Sequence, residues 1–124
     1  MTQQTKSRAL GTDFNLPILD INDVPIQSEG EDGAMETLRL GDVCVNALMA
    51  TLSEGDTSAD GVVKLKRFNL ARKIKGRADE DYQAVVVNSK QKQMVLDMAA
   101  KVYSTLIYGR VYEALEGTIE IEGD

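Results

Sequence analysis

The sequence predicts an α+β fold in which a small N-terminal antiparallel hairpin or sheet is packed by three or four helices. The chain has 124 residues, which is close to the usual size of one domain. It has no Trp, two Phe and four Tyr, so aliphatic residues and Met must build the core. Such a core suits helices against a small sheet better than an aromatic-rich β-sandwich. The spacing of apolar residues then predicts the elements in order.

The first 40 residues carry the signals of β-structure. Residues 14–27 form two short apolar segments around Asn22-Asp23, a dipeptide that tolerates the positive φ of a tight turn, and they predict a short edge hairpin. Residues 28–36 are rich in Gly and acidic residues and predict a flexible loop. Residues 37–40 alternate in polarity and predict another strand.

Helical spacing begins near Asp42, where a carboxylate in the first turn favours the positive end of the helix dipole. We expect this helix to cover residues 42–53. A breaker rich in Ser, Asp and Gly at 53–61 separates it from a second helix over residues 62–74, and Gly76 ends that helix. The two helices are predicted to form a helical hairpin.

The last third of the chain predicts a short strand and a further helical region. Residues 84–87 are β-branched and short, which favours a strand. Ser89 is a plausible N-cap for a third helix with apolar residues at helical spacing. This helix is predicted to continue, with a break near Gly109, to Gly117.

The predicted organisation is one domain over residues 13–117 with two appendages. Residues 1–12 are polar and without periodicity, as in a flexible arm, and residues 118–124 form an acidic tail that is either frayed or an edge strand. Cys44 is the only cysteine and cannot form an internal disulfide. The sequence shows no signal-peptide h-region and no long apolar run, so we expect a cytoplasmic protein with no membrane partner.

Charge is segregated along the chain. Residues 1–60 carry 3 basic and 11 acidic side chains, residues 61–112 carry 11 and 4, and residues 113–124 carry 0 and 5. The formal net charge is −6. A basic middle block indicates a nucleic-acid surface, a docking surface for an acidic protein, or a patch that the chain's own acidic ends neutralise.

The chain lacks the residues of most catalytic sites. It has no His, which excludes Ser-His and Cys-His catalysis and His-ligated zinc within the chain. Residues 56–67 resemble a calcium loop, but Lys64 and Arg67 stand where oxygen ligands are required. Residues 89–92 match S-x-x-K without companion motifs, and residues 79–81 are one acidic run that cannot supply an octahedral site. We predict no enzyme activity, cofactor, metal or small-molecule substrate.

The densest charge lies between residues 64 and 77. Seven of the fourteen basic residues are there: Lys64, Lys66, Arg67, Arg72, Lys73, Lys75 and Arg77. On a helix at about 100° per residue, Val63, Leu70, Ala71 and Ile74 form a buried sector, with Arg67 inside it and the other cations on its two flanks. The segment is therefore interpreted as a solvated helix, a docking surface for an acidic protein, or a nucleic-acid surface.

A second candidate contact region lies near the C-terminus. Tyr103, Tyr108 and Tyr112 are either core edges with surface hydroxyls or anchors of an interface. The residues predicted to contact a partner are Lys64, Arg67, Arg72, Lys73, Lys75, Tyr103, Tyr108, Arg110 and Tyr112.

Four stretches together resemble small proteins encoded by tailed phages and prophages. They are residues 16–26 (LPILDINDVPI), 37–48 (TLRLGDVCVNAL), 69–74 (NLARKI) and 102–116 (VYSTLIYGRVYEALE). The resemblance covers about 100 residues and implies a phage accessory protein that acts in virion assembly or on a host factor. It brings no catalytic residues with it.

We therefore expect a non-enzymatic, protein-binding accessory protein of phage origin. It is expected to self-associate, with the basic helix and residues 106–115 as contact surfaces and with the arm and tail ordering on assembly. The alternative is a small nucleic-acid-binding regulator that uses residues 64–77.

Overall fold

The computed structural model describes residues 8–30, 33–50, 61–76, 82, 84–117 and 119–122. Within these residues it contains five strands and four helices, which confirms the α+β prediction. The strands are β1 Arg8–Asp13, β2 Gln27–Glu29, β3 Met35–Thr37, β4 Ala84–Val85 and β5 Ile119–Glu122. The helices are α1 Leu40–Met49, α2 Gly61–Lys75, α3 Ser89–Val102 and α4 Thr105–Glu116.

The first sheet has the antiparallel order β4-β1-β5, with β1 in the centre. Thr12 lies opposite Val85 on one side, and Gly11 lies opposite Ile119 on the other. The prediction of a flexible arm is therefore wrong for residues 8–12, and residues 1–7 lie outside the described part. These residues form a strand because two segments distant in the sequence supply hydrogen-bond partners for their backbone. No local sequence pattern encodes that pairing. For the C-terminal segment, the edge-strand alternative is the one observed.

Backbone hydrogen bonds connect the predicted N-terminal hairpin to the residues that precede α1. Ile18, Ile26 and Leu38 form a closed ring of backbone hydrogen bonds: each N–H donates to the carbonyl of another member, at 2.8 Å in all three cases. The hairpin around Asn22-Asp23 is confirmed, and Asp23 has the positive φ of 63° that its turn requires.

The acidic segment 28–36 differs from its prediction as a loop. Residues 27–29 and 35–37 pair as the antiparallel strands β2 and β3, with Ser28 opposite Glu36. Gly33 supplies a φ of +83° at the turn, and the Gly30 N–H donates to the Ala34 carbonyl at 2.8 Å. The glycines therefore allow a hairpin to close in a segment whose glycine content predicted a flexible loop.

α1 lies at the centre of the molecule and packs against the other three helices. It begins at Leu40, two residues before its predicted start, because Asp42 Oδ2 accepts a hydrogen bond from the Arg39 N–H and caps the helix there. The predicted strand at residues 37–40 accordingly ends at Thr37. The main core cluster joins side chains from the sheet region and all four helices: Phe14, Ile18, Leu40, Val43, Cys44, Leu48, Leu70, Ala71, Ile74, Val87, Val95, Leu96, Val111 and Leu115.

α2 closely follows its prediction. It covers residues 61–75, and Gly76 ends it with a φ of +62° and an N–H that donates to the Arg72 carbonyl at 3.0 Å. Leu70, Ala71 and Ile74 are buried, while Val63 is half-buried at the start of the same sector. The predicted breaker between α1 and α2 lies mostly outside the described residues.

The C-terminal helical region is divided at a different place from the predicted break. The Asn88 side chain caps α3, one residue before the predicted cap at Ser89, by accepting from the Gln91 N–H at 2.8 Å. The break lies at Tyr103 and Ser104, where Ser104 is extended and caps α4. The prediction of a break near Gly109 is wrong, since α4 continues through it.

Gly109→Ala is expected to stabilise the protein by about 0.5–1 kcal/mol, because alanine has the higher helix propensity. A Cβ at position 109 would meet no atom within 4 Å, and the residue lies in mid-helix. Urea unfolding followed by circular dichroism measures the change. Gly76→Ala is the matched control, and it is expected to destabilise the protein because its φ is positive. A loss of stability in Gly109→Ala would contradict the prediction.

Candidate functional site

α2 has two apolar faces, one buried and one exposed in the described part of the chain. The buried face packs mainly against α1. On the opposite side, Val62, Leu65 and Phe68 are 61%, 57% and 42% exposed. They follow one another at steps of three residues, so they form a continuous stripe along the first two turns of the helix. Three large exposed apolar side chains in one stripe indicate a contact surface rather than scattered exposure.

Cations border this stripe on both sides. At about 100° per residue, Lys64 and Lys75 fall on one flank and Lys66 and Lys73 on the other. All four are exposed. Arg72 lies within the stripe, and its guanidinium carbon is 5.7 Å from the centroid of the Phe68 ring, at cation–π distance. We call the stripe and these five cations the α2 outer face.

The α2 outer face has no acidic residue of its own helix to neutralise it, because the sequence of residues 61–75 contains none. Arg67 is half-buried within the covered face, where the helical spacing places it. Lys75 also contacts the Tyr82 ring, with Nζ 5.2 Å from the ring centroid. Arg77 lies outside the described residues. The predicted partner residues Lys64, Arg72, Lys73 and Lys75 therefore share one surface, and Arg67 lies on the covered side of the helix.

A groove of about 470 Å³ extends this surface towards α3. Three lysines line it, Lys66 and Lys73 from α2 and Lys90 from the first turn of α3. Leu70 and Met94 supply its apolar lining. Three ammonium groups beside an apolar wall suit an anionic group with an apolar stem, such as a glutamate side chain or a phosphate ester.

The second predicted contact region is mostly engaged within the chain. Tyr103 and Tyr108 are half-buried and pack against the core, and burial raises the pKa of Tyr103. Tyr112 alone among the three is exposed, at 47%. Tyr103 and Tyr108 therefore fit the core-edge alternative, and Tyr112 is the most exposed of the three.

Arg110 holds the N-terminal hairpin. Its Nε donates to the Leu19 carbonyl at 3.1 Å, and its Nη2 donates to the Asp20 carbonyl at 2.6 Å. Nη2 also forms an ion pair with Asp23 at 2.8 Å, and this hydrogen bond is the first cause of a raised pKa for Arg110. Glu113 lies 3.3 Å from Nη1. Arg110, predicted to contact a partner, is thus occupied by four groups of its own chain.

Arg110→Gln is expected to release the hairpin turn without unfolding the core. The carbonyls of Leu19 and Asp20 and the Asp23 carboxylate lose their charged donor. Backbone amide exchange at Asp20 and Asp23, measured by NMR, should become faster. Arg72→Gln is the control, since Arg72 is exposed and far from the turn in sequence. Unchanged amide exchange in Arg110→Gln would contradict the prediction that Arg110 holds the hairpin turn.

The described residues contain no group of three or more His, Cys, Asp or Glu that could hold a metal ion. The acidic run 79–81 and residues 56–60 of the calcium-like loop lie outside them. Cys44 is fully buried, and burial raises its pKa to about 12, which makes its thiol unreactive near neutral pH. No described helix is both long enough and apolar enough to cross a membrane.

The exposed apolar stripe was not identified from the sequence, because the helical wheel was used only to find the buried sector. The wheel predicts the sector that is buried, and Val62, Leu65 and Phe68 fall opposite it. The signal is present in the sequence as a second run of apolar residues at steps of three. It identifies a contact surface only once the first sector is known to be covered by α1.

No protein-family model, curated protein or solved structure matches this chain. The candidate site is therefore interpreted from its own geometry and charge.

Proposed function

We propose that this chain is a non-enzymatic, protein-binding accessory protein of phage origin that binds an acidic partner through the α2 outer face. The observation that carries the proposal is the pairing of an exposed apolar stripe with five cations in a helix that contains no acidic residue. Apolar anchors supply affinity, and the surrounding charge selects the partner and speeds encounter.

The size of the stripe makes a contact energetically useful. Fully burying a side chain of the size of Leu or Phe is worth about 1.5–3 kcal/mol, and covering the half-exposed side chains of the stripe gains the corresponding part of that range. Phe68 adds a rigid aromatic surface with a guanidinium already held beside it. A partner carboxylate that reaches Arg72 forms a charge-assisted hydrogen bond at the edge of this apolar contact.

The phage part of the proposal is supported by the resemblance of the four stretches described above. Virion assembly and binding to a host factor are the two roles it implies. The genes beside its own gene distinguish them: head or tail genes indicate assembly, and genes of early lysogeny indicate a host factor.

Affinity capture with matched variants tests the protein-binding role. Wild-type protein, Phe68→Ser and Val86→Ser are immobilised and exposed to nuclease-treated lysate of infected cells. Val86, with 41% exposure, matches Phe68 in exposure but lies outside α2. We expect a specifically captured acidic protein to be lost with Phe68→Ser and kept with Val86→Ser. Equal capture by all three would refute the role of the α2 outer face.

The groove between α2 and α3 favours a second candidate function, nucleic-acid binding. Lys66, Lys73 and Lys90 there suit a row of phosphates as well as carboxylates. If this is the function, affinity for duplex DNA or single-stranded RNA should fall linearly with the logarithm of salt concentration. Lys66→Gln should reduce that slope by about 1. Absence of a complex in a gel-shift assay at low salt would exclude this candidate.

A further inference from the structure

The β2–β3 hairpin is a second surface that packs on no other helix or strand of the described chain to a major extent. Its principal contacts are between its own two strands. β2 is exposed throughout, and Met35 and Glu36 are exposed in β3, with Met35 64% accessible. The sequence of residues 27–37 contains four acidic residues and no basic one. The hairpin therefore presents one exposed apolar side chain among carboxylates.

This surface complements the α2 outer face in both charge and polarity. One surface has five cations around Leu65 and Phe68. The other has Glu29 directly opposite Met35 on one face of the hairpin, and Glu36 on the other face of the same two strands. A Met thioether against an aromatic ring is a favourable contact worth about 0.3–1.5 kcal/mol. The groove beside α2 offers lysines to a carboxylate at the rim of such a contact.

We propose that the α2 outer face of one chain binds the β2–β3 hairpin of a second copy. This inference rests on the proposed function and names its partner. Among the described residues the main packing partner of α2 is α1, while each hairpin strand contacts chiefly the other, and the side chains named on both surfaces are exposed. Contact between two α2 outer faces is disfavoured, since it brings five cations against five.

The contact is heterologous, because the two surfaces on each chain are different. Such contacts build rings when the rotation closes and open chains when it does not. The association is driven partly by exposed charge, so it should weaken as salt rises from about 50 mM to about 500 mM, where the screening length falls severalfold.

A charge exchange between the two surfaces tests the proposal by sedimentation velocity. The helix variant is Lys64→Glu with Lys73→Glu, and the hairpin variant is Glu29→Lys with Glu36→Lys. All four side chains are exposed, and circular dichroism checks that each variant folds. A control, Lys92→Glu with Lys101→Glu on α3, makes the same change in net charge as the helix variant.

We expect wild type and control to associate at low salt and a concentration of about 100 µM, well above the range of a weak micromolar contact. Each charge variant alone should be monomeric, because the two substitutions lower the charge of the outer face from +5 to +1 or that of residues 27–37 from −4 to 0, and the attraction between the two surfaces is largely lost. An equimolar mixture of the two variants should associate again, since the unchanged α2 outer face of the hairpin variant then meets the unchanged hairpin of the helix variant.

A mixture that stays monomeric, a monomeric wild type, or a hairpin variant that still associates would overturn the inference. The failure is separable from that of the proposed function. If Phe68→Ser still loses an acidic partner in affinity capture while the mixture does not associate, the α2 outer face binds another protein instead of the hairpin. If neither assay responds to changes in α2, both proposals fail.

Discussion

Phe14→Ala is expected to lower the free energy of unfolding by about 3–5 kcal/mol, the range for removing a buried Phe side chain. Phe14 has no solvent exposure and belongs to the main core cluster. It follows the central strand β1, and its carbonyl accepts a hydrogen bond from the Gly41 N–H in α1 at 2.8 Å. The ring therefore fills the place where the first sheet and the central helix meet, and its loss leaves a cavity.

Urea unfolding of Phe14→Ala and Leu16→Ala measures this difference. Leu16 lies two residues away but is 40% exposed, so its truncation is expected to cost about 1 kcal/mol or less. A cost below about 1 kcal/mol for Phe14→Ala would show that the core does not depend on this junction.

The helices were largely predictable, because their signals are local. α2 has its apolar sector at helical spacing and a glycine at its end, and the structure keeps both boundaries within one residue. The division between α3 and α4 was not predictable from Gly109, because a mid-helix glycine with open space around it is tolerated. The break depends on Ser104, whose hydroxyl caps the next helix.

The first sheet could not be predicted, because the pairing of its strands depends on segments that are far apart in the sequence. Residues 8–12 have no alternating pattern of their own, and they become a strand only because β4 and β5 arrive from more than 70 residues away. The second hairpin shows the same effect on a shorter scale. Its acidic, glycine-rich sequence gives no alternating apolar pattern, and its pairing continues from the backbone ring of Ile18, Ile26 and Leu38.

The cations of the candidate site were predictable, whereas its apolar stripe and its geometry were not. The cations of α2 stand out in the sequence, and four of those predicted to contact a partner share the outer face. Arg110 and two of the tyrosines were predicted as contact residues from their residue type. In the structure Arg110 binds the N-terminal hairpin, and Tyr103 and Tyr108 pack against the core. Residue type indicates what a side chain can bind, and only the fold decides whether its partner is internal.

The thiol of Cys44 is expected to make the protein lose stability at alkaline pH. Its pKa rises from an ordinary value of 9.0 to about 12 because burial disfavours the thiolate. A raised pKa in the folded state means that its contribution is fully present below about pH 9 and is lost as the pH rises towards about 12. In that interval the unfolded chain gains about 1.4 kcal/mol per pH unit by ionising.

Urea unfolding at pH values from about 8 to about 10.5 measures this slope, with Cys44→Ala as the variant that removes it. Burial and a hydrogen bond to Asp42 raise the pKa of Tyr82 as well, so Tyr82→Phe should remove a further part of the slope at the alkaline end. If Cys44→Ala unfolds with the same pH dependence as wild type, the thiol is not the titrating group. Labelling with a thiol reagent adds an independent check, since the folded protein should react only as fast as it opens.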